Sequence, residues 1–235
     1  MDYSNAYGVS AAEAPAAARA EFIKKTYLHL AGAVMAFIGM EAALLMSPLG
    51  AVIARGMLGS RFGWFLVLGA FMLVSYVANK WAASAQSKGM QYAGLGLYVV
   101  AEAIIFVPLL YVAANFGGPN IIPQAGIYTA LLFTGLTATV FFTRKDFSFL
   151  RGMLTVAGFA ALGIILVSML FGFTLGTFFM GAMILLAAGY ILYNTSNVLH
   201  HYPVGSHVAA SLSLFASVAL LFWYILQLLM GRSRD

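Results

Sequence analysis

The stretch that decides the fold is ILYNTSNVLHHYPVGSHVAASLSLFASVALLFWYILQLLM, residues 191–230. It joins the end of one long apolar run, Gly176–Leu199, to a second one, Val208–Met230, through a short polar break at His201–His207. Each run is long enough to cross the hydrocarbon core of a membrane as a helix. We therefore predict that the chain ends in a hairpin of two antiparallel transmembrane helices.

Each helix of this hairpin carries a polar side chain well inside the apolar run. Asn194 lies on the first helix and Ser217 on the second. At 1.5 Å of rise per residue, both lie roughly 12–16 Å from the polar break. Because antiparallel neighbours bring equal depths together, we expect these two side chains to face each other. Their meeting point is the candidate functional centre.

The composition of the whole chain extends this interpretation to a membrane protein. Hydrophobic residues make up 63% of the sequence and charged residues 8%, whereas soluble domains contain about 25% charged residues. Cysteine is absent, which excludes disulfides, thiolate nucleophiles and cysteine-based metal sites. The net charge of +5 comes from basic residues in loops that flank apolar runs, so it indicates membrane orientation and no nucleic-acid binding.

Five further apolar stretches reach the roughly 20 residues of a spanning helix. They are Tyr27–Met46, Phe62–Asn79, Gln91–Ala114, Ile121–Phe142 and Met153–Phe171. We predict an all-α integral membrane protein, a bundle of seven transmembrane helices that forms a single domain over residues 22–235. Residues 1–21 are predicted to be a flexible cytoplasmic segment.

The distribution of lysine and arginine predicts the orientation in the membrane. With the N-terminus inside, the inner segments hold eight basic residues and the outer segments hold four. This favours a cytoplasmic N-terminus, an outer C-terminus and, for a bacterial chain, the inner membrane. A re-entrant last segment that returns the C-terminus to the inner side is the second topology. The inner residues are Arg19, Lys24, Lys25, Lys80, Lys88, Arg144, Lys145 and Arg151; the outer ones are Arg55, Arg61, Arg232 and Arg234.

Two carboxylic acids fall well inside predicted spans, Glu41 in the first and Glu102 in the third. An ionised side chain at the bilayer centre costs roughly 2.5–3.5 kcal/mol or more, so such residues are neutral, paired or in contact with water. No lysine or arginine lies at the depth of Glu102. Two interpretations remain: a protonated acid bonded to a neighbouring helix, or an acid on a path for cations or protons.

The sequence contains no pattern that indicates an enzyme, a cofactor site or a metal site. His200, His201 and His207 cluster around one loop but lack the spacing and acidic neighbours of a zinc site. The last span has no lysine for a retinal Schiff base, and no histidine lies deep in a span to activate a serine. We therefore predict a protein that is not an enzyme and holds no resident cofactor or metal.

Three stretches resemble the Bax inhibitor-1 family, the transmembrane Bax inhibitor motif proteins, in a bacterial-type branch. They are TRKDFSFLRG at 143–152, ILYNTSNVLHH at 191–201 and SLSLFASVALLFWYILQLL at 211–229. The first contains the inner-loop residues Arg144, Lys145 and Asp146. The resemblance extends over nearly the whole chain from Phe22 and implies a bundle in which the last helix is central.

The resemblance also implies a pH-sensitive calcium leak in which two aspartates, one on each of the last two spans, share a proton. Those aspartates correspond to Asn194 and Ser217 in this sequence. Neither asparagine nor serine exchanges a proton near neutral pH, so the two-carboxylate switch cannot operate here.

Three functional accounts follow from these residues. The first is a calcium or cation leak with altered or absent pH gating, with Glu41 and Glu102 supplying the negative field and Ca²⁺ the permeant ion. The second is a regulator that transports nothing and binds membrane partners such as a membrane protease. In the third, Asn194 and Ser217 bond to each other and lock the bundle shut. The lipid bilayer is an expected partner in all three.

Overall fold

The computed structural model describes residues 8–59, 61–84 and 87–232. These ranges form eight helices and contain no strand. Three of the four basic residues predicted on the outer side are not fully covered: the side chains of Arg61 and Arg232, and all of Arg234, are outside the described part of the chain. In chain order the helices are α1 Ala16–Leu45, α2 Pro48–Leu58, α3 Arg61–Ala82, α4 Lys88–Phe116, α5 Ile121–Thr143, α6 Leu150–Phe171, α7 Thr177–His200 and α8 His207–Arg232.

Every helix in the described ranges except α2 is long and apolar enough to cross a membrane. The predicted all-α class and the seven spans are therefore confirmed. The last span, His207–Gly231, is half buried, as expected for a central helix. The third span, Lys88–Phe116, is buried to an even greater extent, 61%, whereas the other five reach at most 22%. The sequence did not predict that α4 shares the interior with α8.

Helix α1 begins at Ala16, earlier than the prediction of a span starting at Tyr27. The prediction counted only apolar residues, but the preceding stretch is rich in alanine, which has the best helix propensity. Lys25 and Glu21 are paired at 2.6 Å one helical turn apart, which also supports the helix. Residues 1–7 of the predicted flexible segment are not described, and the division at residue 21 stays a prediction.

Helix α2, Pro48–Leu58, was not predicted, because the sequence analysis counted only stretches of roughly 20 apolar residues. Pro48 is the first residue of the helix, a position where its fixed φ is favourable and its missing N–H costs nothing. The helix packs against α1 and α3 and buries Gly50, Ala54 and Met57 along one face. A Cβ at Gly50 would lie 2.5 Å from the carbonyl oxygen of Leu44, so the tight turn requires glycine there.

The chain divides into two compact units. The first contains Met1–Tyr111 and Val198–Phe215, and the second contains Val112–Asn197 and Ala216–Asp235. The core of the first unit includes an aromatic cluster in which the Phe37 ring lies 5.1 Å from that of Phe106 and 6.0 Å from that of Phe215. In the second unit Ala161, Met183 and Tyr224 form a buried cluster. The single domain over residues 22–235 stays a prediction.

A short N-terminal strap, residues 9–11, pairs with the turn between α7 and α8. The backbone N–H of Ala11 donates to the carbonyl oxygen of Tyr202 at 2.9 Å, and the N–H of Val204 donates to Val9 at 3.0 Å. Ala11 is completely buried by this contact. Because the two segments touch, they lie on the same side of the membrane, as six intervening spans require.

Helix α8 runs without a break over its 26 residues. At 1.5 Å per residue it is about 39 Å long, more than the roughly 30 Å of the hydrocarbon core. An uninterrupted helix of this length favours a full crossing over a re-entrant last segment.

Candidate functional site

The candidate centre lies between α7 and α8 in the second unit. The side-chain amide of Asn194 donates a hydrogen bond to Oγ of Ser217 at 2.8 Å. Ser217 is only 4% exposed. The structure thus brings together the two residues that their equal depth predicted to face each other. Both partners are neutral groups, so this contact holds no exchangeable carboxyl proton.

One turn before Asn194, another polar side chain of α7 bonds to a neighbouring helix. The hydroxyl of Tyr190 donates to the backbone carbonyl of Leu154 on α6 at 3.0 Å. A Cβ at Gly158 would lie 2.8 Å from this hydroxyl, so the glycine leaves room for the tyrosine. The polar face of α7 therefore ties helices together, the usual role of such side chains in membranes.

The inner-loop motif is anchored to α7 through a serine that sequence reasoning did not single out. Oγ of Ser196 accepts the backbone N–H of Phe147 at 2.8 Å and donates to Oδ1 of Asp146 at 3.2 Å. The same Oδ1 accepts the N–H of Ser148 at 2.8 Å. Ser196 is completely buried, so the loop is held by a protected contact.

All three charged residues of this motif are exposed, and Asp146 is the one whose side chain is bonded to Ser196 on α7. Arg144 and Lys145 lie on the surface at the end of α5. Arg144 adopts the left-handed conformation, with φ at 50°, and ends the helix. The loop thus presents positive charge outward while Asp146 is turned toward α7.

Glu102 lies inside the first unit and is 6% exposed. It forms a hydrogen bond with the side chain of Tyr98, one turn earlier on α4. Tyr98 is itself buried, and its ring packs edge-on against Phe215 at 6.1 Å. The spacing of four residues between tyrosine and glutamate is a signal that the sequence analysis overlooked.

Glu41, unlike Glu102, is buried without a hydrogen-bond partner in the described ranges. It is 4% exposed on the buried face of α1, one turn after Phe37. Neither of its carboxyl oxygens has a hydrogen-bond partner among the residues that the structure describes. A buried polar group without a partner costs free energy, so its presence needs an explanation. The sequence left the direction of this side chain open, and the structure turns it inward.

Within the described ranges, no three histidine, cysteine, aspartate or glutamate side chains converge as metal ligands. The arrangement therefore contains neutral hydrogen bonds between helices and two separate buried acids. The roles of Asn194, Ser217, Glu102 and Glu41 in an ion path stay predictions.

Comparison with known proteins gives several relatives. An uncharacterized protein of Pseudomonas aeruginosa is 38% identical over 51% of this chain and 53% of its own length. Bax inhibitor 1 of Schizosaccharomyces pombe is 32% identical over 71% of this chain and 61% of its own length. The protein named Modulator of FtsH protease YccA in Escherichia coli is 35% identical over 56% of this chain and 60% of its own length.

The chain thus spans about half to three fifths of the length of these curated relatives. A family model described as "Inhibitor of apoptosis-promoting Bax1" matches residues 19–234. That range includes every predicted span and both members of the candidate centre. This chain is an integral membrane protein that belongs to the Bax inhibitor-1 family.

Proposed function

We propose that this protein is a membrane-embedded regulator that binds other integral membrane proteins, a membrane-bound protease foremost among them. The observation that carries the proposal is the 2.8 Å hydrogen bond between Asn194 and Ser217. The family resemblance places a proton-sharing acid pair at these positions, and a neutral bonded pair gives protons no means of separating α7 from α8.

The surroundings of Glu102 support a closed interior. Aromatic rings of Phe37, Phe106, Phe215 and Tyr98 pack against one another in the same unit, with centroids 5.1–6.1 Å apart. Glu102 has Tyr98 as its hydrogen-bond partner and is nearly inaccessible. A buried acid bonded to tyrosine stabilises a helix interior without an ion.

The relative from Escherichia coli supports the choice of partner, because its name describes a modulator of the FtsH protease. A protein that works by contact needs no catalytic constellation of its own. The bilayer is its solvent, and the charge distribution favours the inner membrane with a cytoplasmic N-terminus.

The test is to express this chain in Escherichia coli that lacks YccA and to follow the half-life of an FtsH substrate. A single cysteine placed in the cysteine-free chain provides a unique crosslinking position. A changed half-life together with a crosslink to FtsH supports the proposal. Glu102→Gln should retain both effects. An unchanged half-life with no crosslink from any exposed loop overturns the proposal.

A second function, a calcium or cation leak with altered or absent pH gating, is favoured by one observation: the unpartnered carboxyl oxygens of Glu41. Unpartnered carboxyl oxygens inside the protein offer ligands to a cation and none to an anion. Calcium uptake by proteoliposomes containing wild type, Glu41→Gln or Glu102→Gln tests it. Flux that wild type shows and that Glu41→Gln abolishes supports a leak. Absence of flux in all three overturns it.

A further inference from the structure

A groove runs between α1 and α4 in the first unit. Its volume is about 450 Å³, within the range of roughly 300–1,000 Å³ for small-molecule sites. Nine of its eleven lining residues are apolar, and the two others are His29 and Tyr92. Leu28 and Tyr92 are 59% and 47% exposed, so the groove opens on the surface that faces lipid.

The two polar lining residues lie together at one end. The His29 and Tyr92 rings stack with centroids 5.5 Å apart, and Nε2 of His29 lies 3.3 Å from the tyrosine hydroxyl. Nδ1 of His29 is bonded to the carbonyl oxygen of Lys25 at 2.7 Å. The opposite end is apolar and is formed by Met40 and Val100. The groove is therefore amphipathic along its length.

The polar end is also basic. The ring of His207 lies 4.8 Å from that of His29. Lys25 lies one helical turn before His29 on α1, and Lys88 lies one helical turn before Tyr92 on α4. Glu21, paired with Lys25, is an acid in this neighbourhood. The charge of this end favours an anionic headgroup.

The length of the groove matches one leaflet. From Leu28 to Met40 the helix rises about 18 Å, and half of the hydrocarbon core is about 15 Å. Small residues make the space: a Cβ added to Gly32 or Gly96 would meet nothing within 4 Å. An extended acyl chain can therefore lie along the groove while its headgroup stays at the interface.

We propose that this groove binds one acyl chain of an acidic phospholipid, with the lipid phosphate at the His29–Tyr92 end. A free fatty acid also has an acidic head and an apolar chain. The groove, however, opens directly onto the bilayer, where phospholipid is the solvent. The site is independent of the proposed regulatory function.

The test is native mass spectrometry of the purified protein after incubation with phosphatidylglycerol or phosphatidylcholine. Wild type should retain one phosphatidylglycerol at least roughly tenfold more strongly than phosphatidylcholine. Gly32→Leu fills the groove and should lose this adduct. Gly39→Leu is the matched control, because Gly39 lies on the same helix, is also exposed, has no atom within 4 Å of an added Cβ and does not line the groove.

Two further variants keep the test decisive. Gly96→Leu closes the groove from α4 and replaces Gly32→Leu if that variant does not fold. His29→Gln should reduce the preference for phosphatidylglycerol while leaving acyl-chain binding. Equal retention by Gly32→Leu, Gly96→Leu and Gly39→Leu overturns the proposal. A retained mass equal to a fatty acid, or equal binding of both phospholipids by wild type, also overturns it.

Discussion

The Asn194–Ser217 pair and Glu41 both lie on apolar helices, yet they differ in how their polar atoms are satisfied. The amide of Asn194 reaches the Ser217 hydroxyl at 2.8 Å, whereas neither oxygen of Glu41 has a partner in the described ranges. Glu102 lies between these cases, with Tyr98 as its partner. The hydrogen bond between α7 and α8 should therefore contribute to stability, whereas Glu41 on α1 should reduce it.

The largest effect is expected when both residues of the Asn194–Ser217 pair are replaced with aspartate, so that this site also contains carboxyl groups. In Asn194→Asp with Ser217→Asp, one shared proton joins two carboxyl groups at low pH, and its loss leaves two like charges in contact. Stability should therefore fall as pH rises, by at least roughly 2 kcal/mol between about pH 5 and about pH 8, since one proton contributes about 1.4 kcal/mol per pH unit. Unfolding in detergent, followed by circular dichroism, measures this.

The single variant Asn194→Asp is the control, because Ser217 can still donate a hydrogen bond to the new carboxylate. It should show a weaker pH dependence than the double variant. A folded double variant with the pH profile of wild type would mean that positions 194 and 217 do not correspond to the family's acid pair.

The next effect compares the two acids directly. Glu102→Leu leaves the buried Tyr98 hydroxyl without its acceptor and should destabilise the protein by about 1–3 kcal/mol. Glu41→Leu breaks no bond seen in the structure and replaces a polar group with an apolar one, so it should stabilise by about 1–3 kcal/mol. Adding Tyr98→Phe to Glu102→Leu should recover part of the loss. Equal shifts of the unfolding midpoint for both acids would show that Glu41 has a partner in the folded protein.

A third change extends the comparison to the loop that α7 anchors. Ser196→Ala removes the acceptor of the Phe147 N–H and should cost about 1–2 kcal/mol. Hydrogen exchange of the amides in residues 143–149 should accelerate. Thr195→Val is the matched control, since the Thr195 hydroxyl is equally buried but has no partner in the described chain. Unchanged exchange in Ser196→Ala would show that the loop is held by other contacts.

The smallest effect measures the bonded pair alone. Ser217→Ala removes the acceptor of the Asn194 amide, and such bonds between membrane helices contribute about 0.6 kcal/mol on average. The unfolding midpoint should fall slightly and independently of pH. A loss above roughly 2 kcal/mol would indicate that the pair is part of a larger cooperative network.

The seven spans and the meeting of Asn194 with Ser217 could be predicted because both depend on short-range regularities. Apolar length identifies a span, and equal distance from one turn sets equal depth in a hairpin. The inward direction of Glu41 could not be predicted in this way. It depends on which face of α1 is buried, and a span that is apolar on every side gives no such signal.

Contacts between distant segments were also beyond the sequence analysis. Ser196 supports a loop 50 positions away, and a serine inside a span has many neighbours to which it can bond. Helix α2 was missed for a different reason: its 11 residues are apolar but too few for a span. Ser47 as the N-cap and Pro48 as the first helical residue were the available signal.

The strap at residues 9–11 has a consequence for biosynthesis. The strap leaves the ribosome before its partner, the Tyr202–Val204 turn, because the six spans of α1 and α3–α7 lie between them in the chain. Until then Val9 and Ala11 have no backbone partner from that turn, so this closure is one of the last steps of maturation. A substitution that breaks the strap should therefore affect the end of assembly rather than its beginning.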